Sequence, residues 1–228
     1  MNAGDQLPLA FETRASQGRA DFIVTPATVA AVSLIDSWPD WPAPAVAVFG
    51  PTGSGKSHLA AIWQETSGAV QIGIDELEAT ASMLQTESEV QNKCYVLKIP
   101  GRGLEGRQQE ESLFHLLNTV REKQAFLLLI GRQPPARLDV GLPDLKSRLR
   151  ALPAVEIPAP DDDLLRGLLT KMFNDRQLSV STDVVEYMVP RMERSFEGAR
   201  LLVERLDNKA LSQKRAITIP FVRDMLDT

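Results

Sequence analysis

Positive charge is not in excess in this chain of 228 residues, since 25 Lys and Arg stand against 30 Asp and Glu, a formal net charge of −5. Long-range electrostatics therefore repel a phosphate backbone, which argues against broad, direct nucleic-acid binding. Cysteine occurs once, as Cys94 in the apolar run Cys94-Tyr95-Val96-Leu97. No disulfide framework can form, and a small buried side chain is the simplest role for this residue. Histidine occurs twice, as His58 and His115, and without further Cys or His at ligand spacing neither suggests a zinc-type site. The N-terminus lacks a basic region followed by an apolar run, and nowhere are there about 18 consecutive apolar residues. Neither secretion nor a membrane span is expected, and the expected location is the cytoplasm. Internal repeats and low-complexity tracts are also missing. What is present is an ordinary globular composition, 43% hydrophobic and 24% charged, well removed from that of disordered chains.

Residues 1–20 are polar, small and aperiodic apart from Gln6-Leu7-Pro8-Leu9-Ala10-Phe11, and are expected to form a flexible tail carrying one sticky segment. Order is expected from near Phe22. Thr25 followed by Pro26 has the form of an N-cap with proline at the first helical position, predicting a helix through Trp38 with Val29, Val32 and Ile35 inward. Pro39, Pro42 and Pro44 then exclude helix. The runs 45–49, 69–74, 94–99, 126–130 and 154–157 are short, apolar and not alternating, the pattern of strands buried on both faces. Helical stretches at about 56–66, 75–86, 108–123 and 143–150 separate them. Strand-helix alternation of this kind predicts a parallel five-stranded sheet with right-handed crossovers over residues 21–160. After Pro158 and Pro160 the strand signal stops. Helices are expected at about 161–176, 181–191 and 195–213, with a short one after Pro220, giving a small all-α domain over 161–228. Asp161, Asp162 and Asp163 enrich its first turn with negative charge, at the positive end of the helix dipole.

The chemistry is carried by Gly50-Pro51-Thr52-Gly53-Ser54-Gly55-Lys56-Ser57, a match to the G-x-x-x-x-G-K-[ST] phosphate-binding loop, lying between a predicted strand and a predicted helix. In such a loop backbone N–H groups ring the β-phosphate, Lys56 bridges the β- and γ-phosphates, and Ser57 ligates Mg²⁺. The positive end of the following helix adds a favourable field. ADP or ATP is the expected ligand, with Mg²⁺ reached through Ser57.

The hydrolytic half of such a site is incomplete. A hydrolysing P-loop protein needs an acidic residue at the end of a neighbouring strand to hold Mg²⁺ and polarise water. Here that strand ends Leu97-Lys98-Ile99-Pro100. Glu105, Glu110 and Glu111 lie beyond a glycine-containing loop, where they could reach back or serve as solvated helix charge. Gly131, at the end of the fourth strand, offers no side chain where a polar γ-phosphate sensor would stand. Two cations remain. Arg148, in Pro143-Asp144-Leu145-Lys146-Ser147-Arg148-Leu149, could supply the planar charge that stabilises a transferring phosphoryl group, or could pair with Asp144 on the surface. Arg194, at the start of a helix of the second domain, could reach bound phosphates or remain a solvated charge. Likewise Leu7, Leu9 and Phe11 could dock in a partner's groove or pack on their own domain.

Taken together, Phe22-Ile23-Val24-Thr25, Trp38-Pro39-Asp40-Trp41-Pro42, Gly50 to His58, Leu113-Phe114-His115-Leu116-Leu117-Asn118, Pro143 to Leu149 and Arg191-Met192-Glu193-Arg194-Ser195 resemble the Hda family, DnaA-related regulators of bacterial replication initiation. The resemblance spans nearly the whole chain. It implies an AAA+ sheet domain with a helical lid, nucleotide contacts from Gly50 through His58, an arginine finger at Arg148 and a lid sensor at Arg194. It further implies that Gln6, Leu7, Leu9 and Phe11 bind the β sliding clamp of DNA polymerase III. Proteins of this family, loaded on clamps, stimulate hydrolysis of ATP held by DnaA and so act as negative regulators of initiation. DNA would then be met only through the clamp, and self-association is compatible with the fold. The family's acidic Walker B pair has no match at Lys98 to Pro100, which puts hydrolysis by this chain itself in question. With no helix-turn-helix region after the lid, an origin-binding initiator is not expected. A helicase-loader-type AAA+ protein would share the P-loop but contact helicase rather than clamp. A P-loop small-molecule kinase would need an acceptor pocket lined by a carboxylate or arginines.

Overall fold

A computed structural model describes residues 22, 24, 27–86 and 92–226. Residues 1–20, with Gln6, Leu7, Leu9 and Phe11, and the expected helix start at Thr25-Pro26 lie outside the described residues. The first half is an α/β unit built as β1 (Ala45–Phe49), β2 (Val70–Ile72), β3 (Cys94–Lys98), β4 (Phe126–Gly131) and β5 (Ala154–Glu156), interleaved with α1 (Val29–Asp36), α2 (Lys56–Ser67), α3 (Leu77–Thr86), α4 (Gly106–Glu122) and α5 (Pro143–Ala151). All strand pairings are parallel, in the order β2-β3-β4-β1-β5. The predicted fold class is therefore the observed one.

Because a strand's side chains alternate between faces, the apolar runs divide into two cores. Ala45, Ala47, Tyr95, Leu97, Leu127 and Leu129 pack under α3, α4 and α5 against Leu84, Leu113, Leu116, Leu145 and Leu149. On the opposite face Val46, Val48, Val96, Leu128 and Ile130 meet α1 and α2 through Ile35, Leu59 and Trp63, with Trp41 stacked on Trp63. Cys94 belongs to this second core, and burial pushes its thiol above the usual range.

Three local expectations are corrected. β2 and β5 are not buried on both faces. They are the sheet's edges, where one flank lacks a neighbouring strand. The run after Ala69 stops pairing at Ile72, and Ile74–Glu76 forms a 3₁₀ turn leading into α3. Val29 faces solvent, since the inward stripe of α1 is Ala31, Val32 and Ile35.

The second unit is helical: α6 (Asp162–Asp175), α7 (Thr182–Met188), α8 (Phe196–Gln213) and α9 (Ile219–Leu226). They close on a core of their own that includes Leu165, Leu169, Phe173, Met188, Leu206 and Phe221. Asp161 caps α6 by accepting from the Leu164 N–H at 2.8 Å, and Ser195 caps α8 by accepting from the Gly198 N–H at 2.8 Å. Among the described residues no helix is long and apolar enough to cross a membrane.

Candidate nucleotide site

The C-terminal ends of β1, β3 and β4 lie side by side, the place where open parallel sheets bind ligands. Phe49 is in register with Gly131 on one flank and Glu156 on the other. The Gly50 N–H donates to the Gly131 carbonyl at 3.2 Å, and the Ile99 N–H donates to the Ile130 carbonyl at 2.8 Å. Gly50 to Gly55 then turn into the N-terminus of α2, with Gly55 as its N-cap at φ 94°. The loop thereby aims the free amides of a helix start at one point, a preformed phosphate cradle.

Lys56 is only 8% exposed, and its ammonium donates to the Pro51 carbonyl at 2.5 Å and the Ser54 hydroxyl at 3.2 Å. The loop thus holds the side chain in its own curl. Burial first, and the nearby positive charge of Arg132 second, hold the ammonium below the usual lysine range. An anion in the cradle would offset both. Thr52 and Ser57 are exposed and Ser54 is buried. His58 stands edge-on to Phe22, ring centroids 5.4 Å apart, and Phe22 in turn covers Gly55, so this pair forms an apolar wall beside the loop.

The helical unit touches the loop directly. The Phe196 N–H donates to the Gly53 carbonyl at 2.8 Å, and a Cβ on Gly53 would lie 2.2 Å from the Ser195 Cβ. Arg194, one residue away, is exposed and bonded through Nη2 to Asp162 Oδ1 at 2.5 Å. It is near the loop, with a carboxylate of its own domain as partner. The Ser195–Gly53 contact was not legible in sequence, because nothing in a local pattern pairs a lid N-cap with a P-loop glycine.

The three glutamates that could have supplied an acid are engaged elsewhere. Glu105 pairs with Arg102 at 2.9 Å and Glu111 with Arg107 at 2.7 Å. Glu110 accepts from the N–H groups of Gly141 and Leu142 at 3.0 and 2.8 Å, which fixes the loop entering α5. At the end of β3, Lys98 is exposed, and the Arg132 side chain lies across Gly101. A nucleotide fits the loop. Mg²⁺ fits poorly, because it takes carboxylate and phosphate oxygens, whereas the side chains at the ends of β3 and β4 are Lys98 and Arg132 and the hydroxyl at the start of α2 is that of Ser57.

Arg148 sits in the last turn of α5, half-buried, with its guanidinium carbon 5.3 Å from the centre of the Phe114 ring. Among the described residues it has no carboxylate partner, so the surface pair with Asp144 is not formed. Helix α4 therefore positions this arginine twice, through Glu110 at the entry to α5 and through Phe114 beneath the guanidinium.

A P-loop on a parallel five-stranded sheet with an appended helical lid is the architecture of the AAA+ fold. Residues 161–226 match the family model described as the lid domain of Hda. Domain III of the replication initiation protein DnaA from Thermotoga maritima superposes with a TM-score of 0.73 at 14% identity, over 91% of this chain and 94% of that one. DnaA from Aquifex aeolicus bound to AMPPCP gives 0.69 at 16% identity, over 84% of this chain but only 65% of that one. RuvB of Thermotoga maritima, a Holliday junction branch migration motor, gives 0.72 at 16% identity over 92% and 71%. The helical unit thus matches the Hda lid domain, and the fold of the whole chain is similar to that of DnaA domain III.

Proposed function

We propose that the chain is a negative regulator of DNA replication initiation. In this reading it binds adenine nucleotide, docks on the β sliding clamp through Gln6, Leu7, Leu9 and Phe11, and stimulates hydrolysis of ATP held by DnaA through Arg148 acting in trans. The observation that carries the reading is Arg148 itself, a guanidinium without a carboxylate partner among the described residues, braced on Phe114. An arginine committed to a surface ion pair would be of little use to a neighbour. This one is fixed in position while its charge stays unspent. AAA+ subunits bind nucleotide at the edge shared with the next subunit, so a cation on the far side of one core completes the neighbour's site. The missing acids of the chain's own site do not matter for that task.

The test is hydrolysis of DnaA-bound ATP with and without DNA-loaded clamp. An arginine finger is worth about 10³ to 10⁵ in rate. Arg148→Ala is expected to abolish stimulation while leaving clamp and nucleotide binding intact, and Arg148→Lys to rescue poorly for lack of the planar fork. Replacing Leu9 and Phe11 together by alanine is expected to weaken clamp binding, each anchor contributing about 1.5–3 kcal/mol when buried. Normal stimulation by the Arg148→Ala protein would overturn the finger assignment, and unchanged clamp affinity in the double variant would overturn the docking assignment.

A further inference from the structure

At the nucleotide end of the sheet a cation, Lys98, stands where a hydrolysing P-loop protein places an acid, and a second, Arg132, follows the adjacent strand β4. Lys98 and Ile130 are in register on β3 and β4, so the segment after Lys98 runs beside Gly131 and Arg132. Gly131 in turn accepts from Gly50, the first residue of the phosphate loop. Arg132 therefore follows the very residue that anchors the loop. Its side chain lies flat over the end of β3, for a Cβ on Gly101 would come within 2.8 Å of its Cδ, Nε and Cζ atoms. Only a glycine lets the guanidinium rest there. Arg132 is exposed, and among the described residues it has no carboxylate partner. Its positive charge is felt at Lys56, which places both cations in one electrostatic field.

From this juxtaposition we propose that Arg132 takes the place of the metal, so that the P-loop holds a nucleoside diphosphate through Lys56, the loop amides and the Arg132 guanidinium, without Mg²⁺. The inference rests on the nucleotide-binding part of the proposed function. Two fixed cations repel each other while the loop is empty, and a multiply charged diphosphate between them removes that repulsion. A dication finds the opposite conditions. It would gain one hydroxyl, that of Ser57, and face Lys56, Lys98 and Arg132, with no carboxylate at the ends of β3 and β4 to hold it. The guanidinium also suits the task geometrically, since its planar fork pairs with two phosphate oxygens at once.

The experiment is calorimetric titration of ADP into the full chain, once with millimolar MgCl₂ and once with EDTA. For the wild type the two affinities are expected to agree within about twofold. Arg132→Gln is expected to bind about tenfold more weakly in both buffers, the scale of one charge-assisted contact. Its melting temperature without nucleotide should match the wild type, because the side chain is exposed. Arg132→Asp, which adds a metal-binding oxygen and removes the cation, is expected to bind ADP measurably only with Mg²⁺. Lys56→Ala is expected not to bind in either buffer. If EDTA weakens the wild type more than about tenfold, or if Arg132→Gln matches it, the metal-free assignment is overturned and nucleotide binding stands. If the wild type fails to bind ADP in both buffers, both readings fall.

Discussion

Gly53 has room for a hydrogen and nothing larger. Its φ is 72°, and a methyl group there would meet the Ser195 Cβ at 2.2 Å. Gly53→Ala is therefore expected to cost about 1–3 kcal/mol, from backbone strain and from the forced separation of loop and lid. Urea denaturation measures the first effect, and a parallel loss of ADP affinity in calorimetry would show that the loop amides have shifted as well. Stability within error of the wild type would mean that the lid yields freely. At this scale the sequence was most informative about residues whose chemistry is local. Gly50 to Ser57 announce a phosphate loop by type and spacing alone, because each residue acts within the loop itself. Arg148 was not settled by spacing. Asp144 is one helical turn away and is the natural local partner, yet the guanidinium lies over Phe114 of another helix.

Among the elements, α8 links the lid to the nucleotide site. Its N-cap Ser195 is buried, accepts from Gly198 at 2.8 Å and donates to Glu193 Oε1 at 2.8 Å. Ser195→Ala removes the cap at the point where the helix start also donates to Gly53. A loss of about 1–2 kcal/mol is expected, read as a lower urea midpoint with an unchanged slope. A change below about 0.3 kcal/mol would mean that Glu193 and water replace the cap. The core strands were readable as continuous apolar runs. The edge strands were mis-set because apolar composition does not reveal which strand lacks a neighbour, a fact fixed only by the order β2-β3-β4-β1-β5.

At the scale of the whole molecule, Arg194 stands near the phosphate loop but takes its partner from within the helical unit. Its guanidinium is held by Asp162, and both side chains are largely exposed at 57% and 43%, so the pair is well screened and worth less than about 1 kcal/mol. If Arg194 serves the bound phosphates, Asp162 is a rival anion. Asp162→Asn is then expected to raise nucleotide affinity by as much as about fivefold. The gain should vanish when Arg194→Ala is added, since the cycle then has nothing to release. Equal affinity for Asp162→Asn and wild type would assign Arg194 to holding the lid rather than sensing nucleotide.

The sequence by itself determined the α/β core, the all-α region after Pro160, the phosphate loop and the lack of acids at the end of β3. These properties follow from short-range periodicity, from proline and glycine placement, and from residue type at fixed spacing. Tertiary structure alone decided that Glu110 holds the entry to α5 instead of approaching the nucleotide, that Ser195 seats against Gly53, and that Arg132 lies across Gly101. Those contacts join residues 31 to 142 positions apart. They depend on which strand ends the sheet brings together, and no local pattern encodes that adjacency.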